Sequence, residues 1–524
     1  MKKLLLTVIA TLAFSGAILA QPATFWPEFN SNHFQFPAAL VAFVQIDGGF
    51  IEGTDNYADL EIAAYTGDQC RGHAFMDYYP GDGDPHPIVE MSVFYNNGES
   101  VPVTFSLYDH TTGIEYTACA SNMEILTGVN HTELYFNYDN AVVLNFTTPP
   151  TYTLPITGYA NLANPDGGYY LIASPVRKMD PQFVSDMLSN NYDLYWFNQS
   201  GDANGNQWMN YKVESFFLQR GKGYLYANSQ DVLLSFTGTA SDPATDVTIP
   251  LEYDAASPFN MAGVNLVGNP FAQTAYIAGR SFYVMNSDGT EIVAAVGNSV
   301  EAMEGIFVIA NDDSETVTFS TTEPSTKDDM VSIDLTSGKG FIDRAIVNFG
   351  DISSLPKLQL MGGVAQVYIP QGDEDYAVVQ REGQGETPFS FRTEENGSYT
   401  LSFNTGDTEF SYLHLIDNLM GTDTDLLEAP YYSFHALTSD QADRFKLVYV
   451  VGTTGVGEDF AFVSDGNIIL SGKGTLEVYD VTGRMVGSCT DGARAISTAS
   501  MTPGVYMLRL VNGKEFRTQK IVVK

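Results

Sequence analysis

Short runs of alternating apolar and polar residues recur along most of the chain, and turn-forming Gly, Asn and Asp residues separate them. In Tyr399–Phe403 and in Phe445–Val450 every second residue is apolar, which is typical of a β-strand with one buried face. Further strands are predicted at Leu40–Ile46, Leu60–Tyr65, Ile88–Phe94, Val101–Tyr108 and Ala141–Phe146. Short strands at this spacing indicate sandwiches or barrels, so we predict an all-β fold of tandem antiparallel β-sandwich modules.

One segment has the signals of a helix instead. Asp180 is a suitable N-cap, Pro181 suits the first helical position, and a short apolar face continues to Leu188. We therefore expect a short helix over 180–188.

Four segments recur in the same order within residues 152–325. Their pairs are Tyr170–Val176 with Asn265–Phe271, Leu194–Asn198 with Phe282–Asn286, Gly223–Asn228 with Gly305–Asn311, and Leu234–Thr237 with Thr318–Thr321. The offset between paired segments falls from 95 to about 82 positions, as the loss of loop residues from one copy would produce. The pattern predicts a duplicated β-unit folded as one pseudo-symmetric domain.

The chain begins like a secreted protein. Met1-Lys2-Lys3 is followed by the apolar run Leu4–Ala20, which is shorter than the roughly 20 residues that a spanning helix needs. This pattern predicts a signal peptide cleaved after Ala20, with Ala17 as a second site. No later run is long and apolar enough to span a bilayer, so we expect an exported chain without a transmembrane segment.

Composition marks the domain boundaries. The stretches Thr147–Thr151 and Thr453–Gly457 read as linkers. We predict a signal peptide (1–20), an N-terminal β-sandwich module (21–148), the duplicated domain (152–325), a second β-sandwich module (331–452) and a C-terminal domain (458–524).

Charge separates the last domain from the rest. The net charge is −38, yet residues 460–524 carry 8 basic and 5 acidic side chains, against 17 and 58 in the remainder. An acidic surface argues against nucleic acid as a partner, because phosphate binding relies on clustered Lys and Arg. It is compatible with divalent cations.

The C-terminal residues resemble the type IX secretion sorting domains of Bacteroidetes (Por-type, type A). The resemblance lies in the hairpin around Gly483 and Arg484, the strand with Gly504-Val505-Tyr506, and the basic ending Lys520–Lys524. It implies an immunoglobulin-like domain that carries the protein across the outer membrane. It also implies the type IX machinery and its C-terminal signal peptidase as partners, and a cell-surface or extracellular location.

Other segments resemble modules of surface proteins from the same group. They are Ala63–Gly72, Thr104–Gly113, and a set of short segments comprising Leu413–Asn418, Asp425–Leu427, Tyr432–Phe434 and Arg444-Phe445. The resemblance implies a modular architecture and a location at the cell surface. It identifies no catalytic residues in this chain.

The three cysteines leave two alternatives open. Cys70 and Cys119 fall in one predicted module and are the expected pair if a disulfide forms, because an exported chain permits pairing. Cys489 is then the odd residue. Reduced thiols at all three positions are the alternative.

Motifs of catalysis are missing. The sequence has no His-Glu-x-x-His zinc motif, no Gly-x-Ser-x-Gly elbow and no phosphate-binding loop. The Cys70 and His73 pair is better explained as part of a structural module. Nothing selects a pair of acids for glycoside hydrolysis. We therefore expect a non-catalytic binding or adhesion component; the alternatives are a secreted hydrolase acting on glycans or peptides, and a structural surface-layer protein.

Two binding candidates remain. Asp202, Asn204 and Asn206 place oxygen side chains at alternate positions around Gly205, a pattern compatible with Ca²⁺, the one cofactor that the sequence suggests. A polar hairpin loop is the alternative. Trp208, in the same segment, is the candidate for stacking on a glycan or a protein ligand, and a core position is its alternative.

Overall fold

A computed structural model of the chain describes residues 24–524 apart from 27–28, 52–56, 68, 80–85, 97–98, 100, 118, 126–141, 163–166, 203, 259–260, 326–328, 359–364, 441, 453–459 and 491–493. The predicted signal peptide and the predicted linker Thr453–Gly457 lie outside the described residues. The chain divides into two compact units, residues 1–151 with 237–239, and residues 152–236 with 240–524. The domain boundaries drawn from the sequence stay predictions.

The all-β fold is confirmed. In the described part of the chain every helical segment is a 3₁₀ turn of three residues, at Ser31–His33, Tyr57–Asp59, Tyr159–Asn161 and Pro181–Phe183. None of them could cross a membrane. The helix predicted over 180–188 is wrong beyond its first turn. Asp180 does cap the amide of Gln182, but Asp186 adopts a φ of 61°, which the right-handed helix does not allow.

The described residues of the first unit form ten strands in two sheets. They are β1 (Phe36–Ile46), β2 (Gly49–Phe50), β3 (Leu60–Thr66), β4 (Gln69–Phe75), β5 (Asp77–Tyr79), β6 (His86–Tyr95), β7 (Val101–Asp109), β8 (Ile114–Glu115), β9 (Cys119–Ile125) and β10 (Val142–Phe146). One sheet has the order β10-β1-β6-β5 with β2 beside β1, and the other β4-β3-β7-β8 with β9 beside β7. Alternate residues of both sheets, such as Leu40 and Phe105, share one core, so the unit is a sandwich.

Between residues 151 and 319 the described part of the chain forms sixteen strands. The first eight are β11 (Thr151–Ile156), β12 (Tyr170–Ala173), β13 (Lys178–Met179), β14 (Tyr192–Phe197), β15 (Trp208–Asn210), β16 (Leu218–Gln219), β17 (Gly223–Asn228) and β18 (Val232–Thr237). The second eight are β19 (Val247–Pro250), β20 (Val264–Gly268), β21 (Ala275–Tyr276), β22 (Tyr283–Met285), β23 (Ile292–Ala294), β24 (Ser299–Val300), β25 (Gly305–Ile309) and β26 (Thr316–Phe319).

The two sets of eight strands have the same topology. Each set forms a four-stranded sheet and two strand pairs: β12-β17-β14-β15, β11-β18 and β13-β16 in the first half, and β20-β25-β22-β23, β19-β26 and β21-β24 in the second. The halves also exchange backbone hydrogen bonds reciprocally. The amide of Ala173 donates to the carbonyl of Met303, and the amide of Gly268 donates to the carbonyl of Gly221, both across the boundary between the halves.

Residues 330–451 form one large folded sheet. Its strands are β27 (Met330–Ser337), β28 (Gly340–Asn348), β29 (Leu355–Pro356), β30 (Ala365–Gln371), β31 (Glu374–Gln380), β32 (Gln384–Thr393), β33 (Gly397–Asn404), β34 (Phe410–Asp417), β35 (Thr422–Asp425), β36 (Tyr431–Ala436) and β37 (Phe445–Val451). The order is β35-β34-β37-β32-β30-β31-β28-β27-β33-β36, with β29 beside β31. Leu415 of β34 and Phe434 of β36 belong to one core although their strands lie far apart in this order, so the sheet folds over itself.

The last seven strands are β38 (Ala461–Ser464), β39 (Asn467–Leu470), β40 (Thr475–Tyr479), β41 (Met485–Cys489), β42 (Ala495–Ser497), β43 (Gly504–Asn512) and β44 (Glu515–Val523). They form a three-stranded sheet, β38-β39-β42, and a four-stranded sheet, β41-β40-β43-β44. Ile468 and Leu508 from the two sheets meet in a common core, which makes an immunoglobulin-like sandwich.

Candidate functional site

A concave site of ligand-binding size lies beside β31, and we name it the β31 cleft. It has a volume of about 650 Å³, within the range of ligand pockets, and its walls come from the second half of the repeat and from the 330–451 sheet. The 330–451 sheet contributes the acidic residues Asp373, Glu374 and Asp375 to the lining, and the repeat contributes Tyr253 and Asn311 among apolar residues.

Hydrogen bonds fix the polar side of this cleft. Arg392 donates from Nη1 to Oδ2 of Asp375 at 3.0 Å and from Nε to Gln366 at 2.7 Å. The hydroxyl of Tyr376 donates to Glu374 at 2.9 Å, and this bond raises the pKa of the phenol. The cleft therefore presents prearranged polar groups beside a tyrosine ring, an arrangement suited to a polar ligand.

The positive charge of Lys357, which also lines the cleft, is directed away from it. Its Nζ lies 2.6 and 2.7 Å from the two carboxylate oxygens of Asp343 and also donates to the carbonyl of Arg344. The amide of Val367 donates to the same carboxylate. Because the ion pair is almost fully buried, Lys357 anchors the wall.

The loop predicted to bind calcium is stabilised by hydrogen bonds among its own residues. The carboxylate of Asp202 accepts hydrogen bonds from the amides of Asn204 and Asn206 at 2.7 and 2.9 Å, and these bonds lower its pKa. The side-chain amide of Asn206 also donates to it at 3.1 Å. Gly205 has a φ of 83°, as a hairpin turn requires. This geometry supports the hairpin alternative, and Ca²⁺ stays a prediction that calorimetry with and without the ion can test.

Trp208 lies on β15 and faces the interior. Its ring makes edge contacts with Phe197 and Phe307 at centroid distances of 5.3 and 5.9 Å, and it packs against a core that includes Leu171. Packing therefore accounts for Trp208, and its role in ligand binding stays a prediction.

The two cysteines predicted as a pair lie on strands that are not neighbours. Cys70 belongs to β4 and Cys119 to β9, and β3 and β7 lie between them in the sheet. At about 4.8 Å per strand the separation is roughly 14 Å, beyond the reach of a disulfide without a change of strand order. Burial raises the pKa of the Cys119 thiol. The disulfide stays a prediction, which intact mass with and without reductant checks.

The first unit contains a buried polar cluster that the sequence patterns do not predict. Glu61 of β3 is fully buried, and its carboxylate meets His73 Nδ1 and His110 Nε2, each at 3.0 Å. It also accepts hydrogen bonds from the hydroxyl of Thr24 and the amide of Phe25. Burial raises the pKa of Glu61, but these hydrogen bonds outweigh it and lower the pKa to about 2. The sequence feature that points to this cluster is a single acid, Glu61, within the otherwise apolar run Leu60–Tyr65.

The sorting motif around Gly483 and Arg484 forms the turn between β40 and β41. Oδ1 of Asp480 accepts from the hydroxyl and amide of Thr482 and from the amide of Arg484, and Oδ2 lies 3.1 Å from Arg484 Nε. These bonds lower the pKa of Asp480 to about 2. Gly483 has a φ of 84°, which favours glycine at this position.

The motif Gly504-Val505-Tyr506 begins β43. Tyr506 enters the core, and its hydroxyl donates to the carbonyl of Thr502 at 2.7 Å, so the residues before the strand are tied to it. Val505 pairs with Val522 of β44. Lys524 follows β44 and is exposed.

The outer face of the four-stranded sheet carries an apolar row that ends on a lysine. Met485, Tyr479, Met507 and Lys520 are cross-strand neighbours on β41, β40, β43 and β44. Met485 and Met507 are 56% and 44% exposed, and Val522 nearby is 57% exposed. This face therefore exposes apolar side chains to solvent.

Comparison with known families identifies this domain. The family described as "secretion system C-terminal sorting domain" matches residues 464–524. A search of curated proteins found no match to the chain. Residues 464–524 are therefore a sorting domain of the type IX secretion system of Bacteroidetes, and the chain is exported across the outer membrane to the cell surface or the extracellular space.

Proposed function

We propose that this protein is a non-catalytic binding component of the cell surface, that it holds a polyhydroxylated ligand such as a glycan in the β31 cleft, and that the type IX machinery and its C-terminal peptidase process it. The observation that carries the proposal is the composition of the cleft: planar polar groups and tyrosines around about 650 Å³ of space. Amide, guanidinium and carboxylate groups hydrogen-bond to hydroxyls, and aromatic rings contact the apolar faces of sugars.

The placement of the acids favours binding over glycoside hydrolysis. Hydrolysis uses two carboxyl groups that flank the scissile bond from opposite sides. The acids that line the cleft come from one short stretch, Asp373–Asp375, and the described lining residues from the repeat include Asn311 and Tyr253 but no acid. Two of the three carboxylates are already engaged by Arg392 and Tyr376.

A glycan array probed with the purified full chain tests the proposal. We expect hits that weaken at least about tenfold in Asp373→Asn and Asn311→Ala, one variant for each wall. Glu428→Gln, an exposed acid outside the residues that line the cleft, is the matched control and should bind like the wild type.

Two results would overturn the proposal. One is an array without hits, and the other is a set of hits that neither cleft variant changes. Release of reducing ends from a bound glycan, abolished by Asp373→Asn, would assign the cleft to a hydrolase instead.

A further inference from the structure

The sorting domain packs against the 330–451 sheet through a second apolar cluster, separate from its own core. This cluster contains Tyr412, Val448 and Val450 from β34 and β37, and Ile469 from β39. Ile416 and Phe462 pack at its edge. The contact therefore joins the outer face of the β34–β37 strand pair to the outer face of the small sheet of the sorting domain.

On the β37 side, the two valines point away from the core of their own sheet. Leu447 and Tyr449 belong to that core, and the intervening Val448 and Val450 face the opposite way. Even so, Val448 and Val450 are only 2% and 1% exposed. Their burial is explained by the sorting domain, whose Ile469 lies in the same cluster.

On the sorting-domain side, three consecutive residues of β39 are buried. Ile468 and Leu470 enter the core of the sorting domain, and Ile469, on the other face, is 1% exposed within the shared cluster. A strand with one face open to water would expose Ile469. Both faces of β39 are therefore covered.

Polar contacts frame the apolar cluster. Nζ of Lys446 lies 2.6 Å from Oδ1 of Asp465 in the sorting domain and 3.3 Å from Oε2 of Glu386 in β32. The hydroxyl of Ser464 donates to the same Glu386 oxygen at 2.5 Å. Lys446 is mostly buried in this position, so the ion pairs help to fix the register of the two surfaces.

We infer that the outer face of β34 and β37 is a binding site for the sorting domain, which stays attached to the rest of the chain after the peptide between them is cut. The occupant is residues 460–524 of the same chain. Proteolysis alone then leaves a two-chain complex, and separation requires a competitor for the apolar cluster. Until then, the sorting domain shields Tyr412, Val448 and Val450 from water.

A cleavable full-length protein tests this inference. A protease recognition sequence is inserted at Thr453–Gly457, the protein is purified, cut to completion and passed over a sizing column at micromolar concentration. We expect both fragments to elute together at the volume of the uncut protein. Ile469→Asp and Val448→Asp should each release the sorting-domain fragment, with at least about tenfold more free fragment than in the wild type. Val463→Asp, an exposed position on neighbouring β38, is the matched control and should retain it.

A pair of charge-reversal substitutions distinguishes loss of the contact from misfolding. Lys446→Glu should weaken retention, and combining it with Asp465→Lys should restore retention, which unfolding would not produce. Separation of the wild-type fragments immediately after cutting would overturn the inference, as would retention unchanged in Ile469→Asp, Val448→Asp and Lys446→Glu. None of these measurements involves the β31 cleft, so they fail or succeed independently of the proposed glycan binding.

Discussion

Ala173 and Gly268 occupy equivalent positions in the two halves of the repeat, 95 residues apart, and lie directly against each other. A Cβ added to Gly268 would fall 2.5 Å from the Cβ of Ala173 and 2.5 Å from the carbonyl oxygen of Lys222. Gly305, at the start of β25, also lies close to the first half, since its added Cβ would lie 3.0 Å from the carbonyl oxygen of Ile172 and 3.3 Å from the Cα of Gly223. The halves thus meet through backbone atoms, and only very small residues fit at the contact.

The first prediction concerns this contact. Gly268→Ala should lower the free energy of unfolding by about 1–3 kcal/mol, because neither the backbone carbonyl nor the facing methyl group can move away freely. Chemical denaturation measures the change, and the double variant Ala173→Gly/Gly268→Ala should recover part of it. Gly338→Ala, where an added Cβ meets nothing within 4 Å, is the control and should stay close to the wild type.

The second prediction concerns the buried carboxylate of Glu61. Glu61→Gln should lower the free energy of unfolding of the first unit by about 3 kcal/mol, because it removes the charge that four donors share. Glu61 has a lowered pKa, so its contribution is complete above 4.5, its ordinary value, and is lost as the pH falls towards about 2. The difference between wild type and variant should therefore shrink on acidification. Glu90→Gln, an exposed acid on β6, serves as control, and an equal loss there would contradict the role of Glu61.

The third prediction concerns the turn that Asp480 braces. Asp480→Asn should lower the melting temperature of the sorting domain and raise the fraction of the protein retained in the periplasm, because the turn loses the anion that holds Thr482 and Arg484. The stabilising effect of Asp480 is complete above pH 3.8 and disappears as the pH falls through its folded pKa of about 2. Glu515→Gln, an exposed acid in the same domain, should leave both quantities unchanged; export of Asp480→Asn at the wild-type level would contradict the prediction.

The fourth prediction separates packing from binding at Trp208. Trp208→Ala should cost about 3 kcal/mol of unfolding free energy, since it removes the ring that contacts Phe197 and Phe307. Any glycan binding should persist at a temperature where the variant is folded. Loss of binding together with unchanged stability would instead assign Trp208 to a ligand site.

Strand positions are predictable from the sequence because short apolar or alternating runs end at turn-forming residues. The predicted strand Leu60–Tyr65 corresponds to Leu60–Thr66 in the structure, and the predicted strand Ile88–Phe94 lies inside His86–Tyr95. The alternation in Phe445–Val450 identified the inner face correctly. It gave no information on the second face, because the cover on Val448 and Val450 comes from residues that follow in a different domain.

The β31 cleft could not be predicted for a related reason. Tyr253 and Asn311 come from the repeat, and Asp373 and Arg392 come from the sheet that follows it. No local pattern links such positions, whereas the sorting motif lies within a single domain and is recognisable in sequence order. The helix expected after Asp180 does not form beyond its first turn. An N-cap residue and a proline favour the first turn, but the helix cannot continue because Asp186 has a positive φ.

The reciprocal hydrogen bonds of the repeat have a consequence for the time course of folding. Ala173 finds its acceptor at Met303, and Gly268 finds its acceptor at Gly221, so each half is completed by the other. Contacts between residues far apart in sequence form slowly, so we expect the first half to reach its final structure only after the second has been synthesised. We therefore expect the two halves to fold cooperatively, and a chain interrupted between them to have an incomplete first half that is susceptible to proteases.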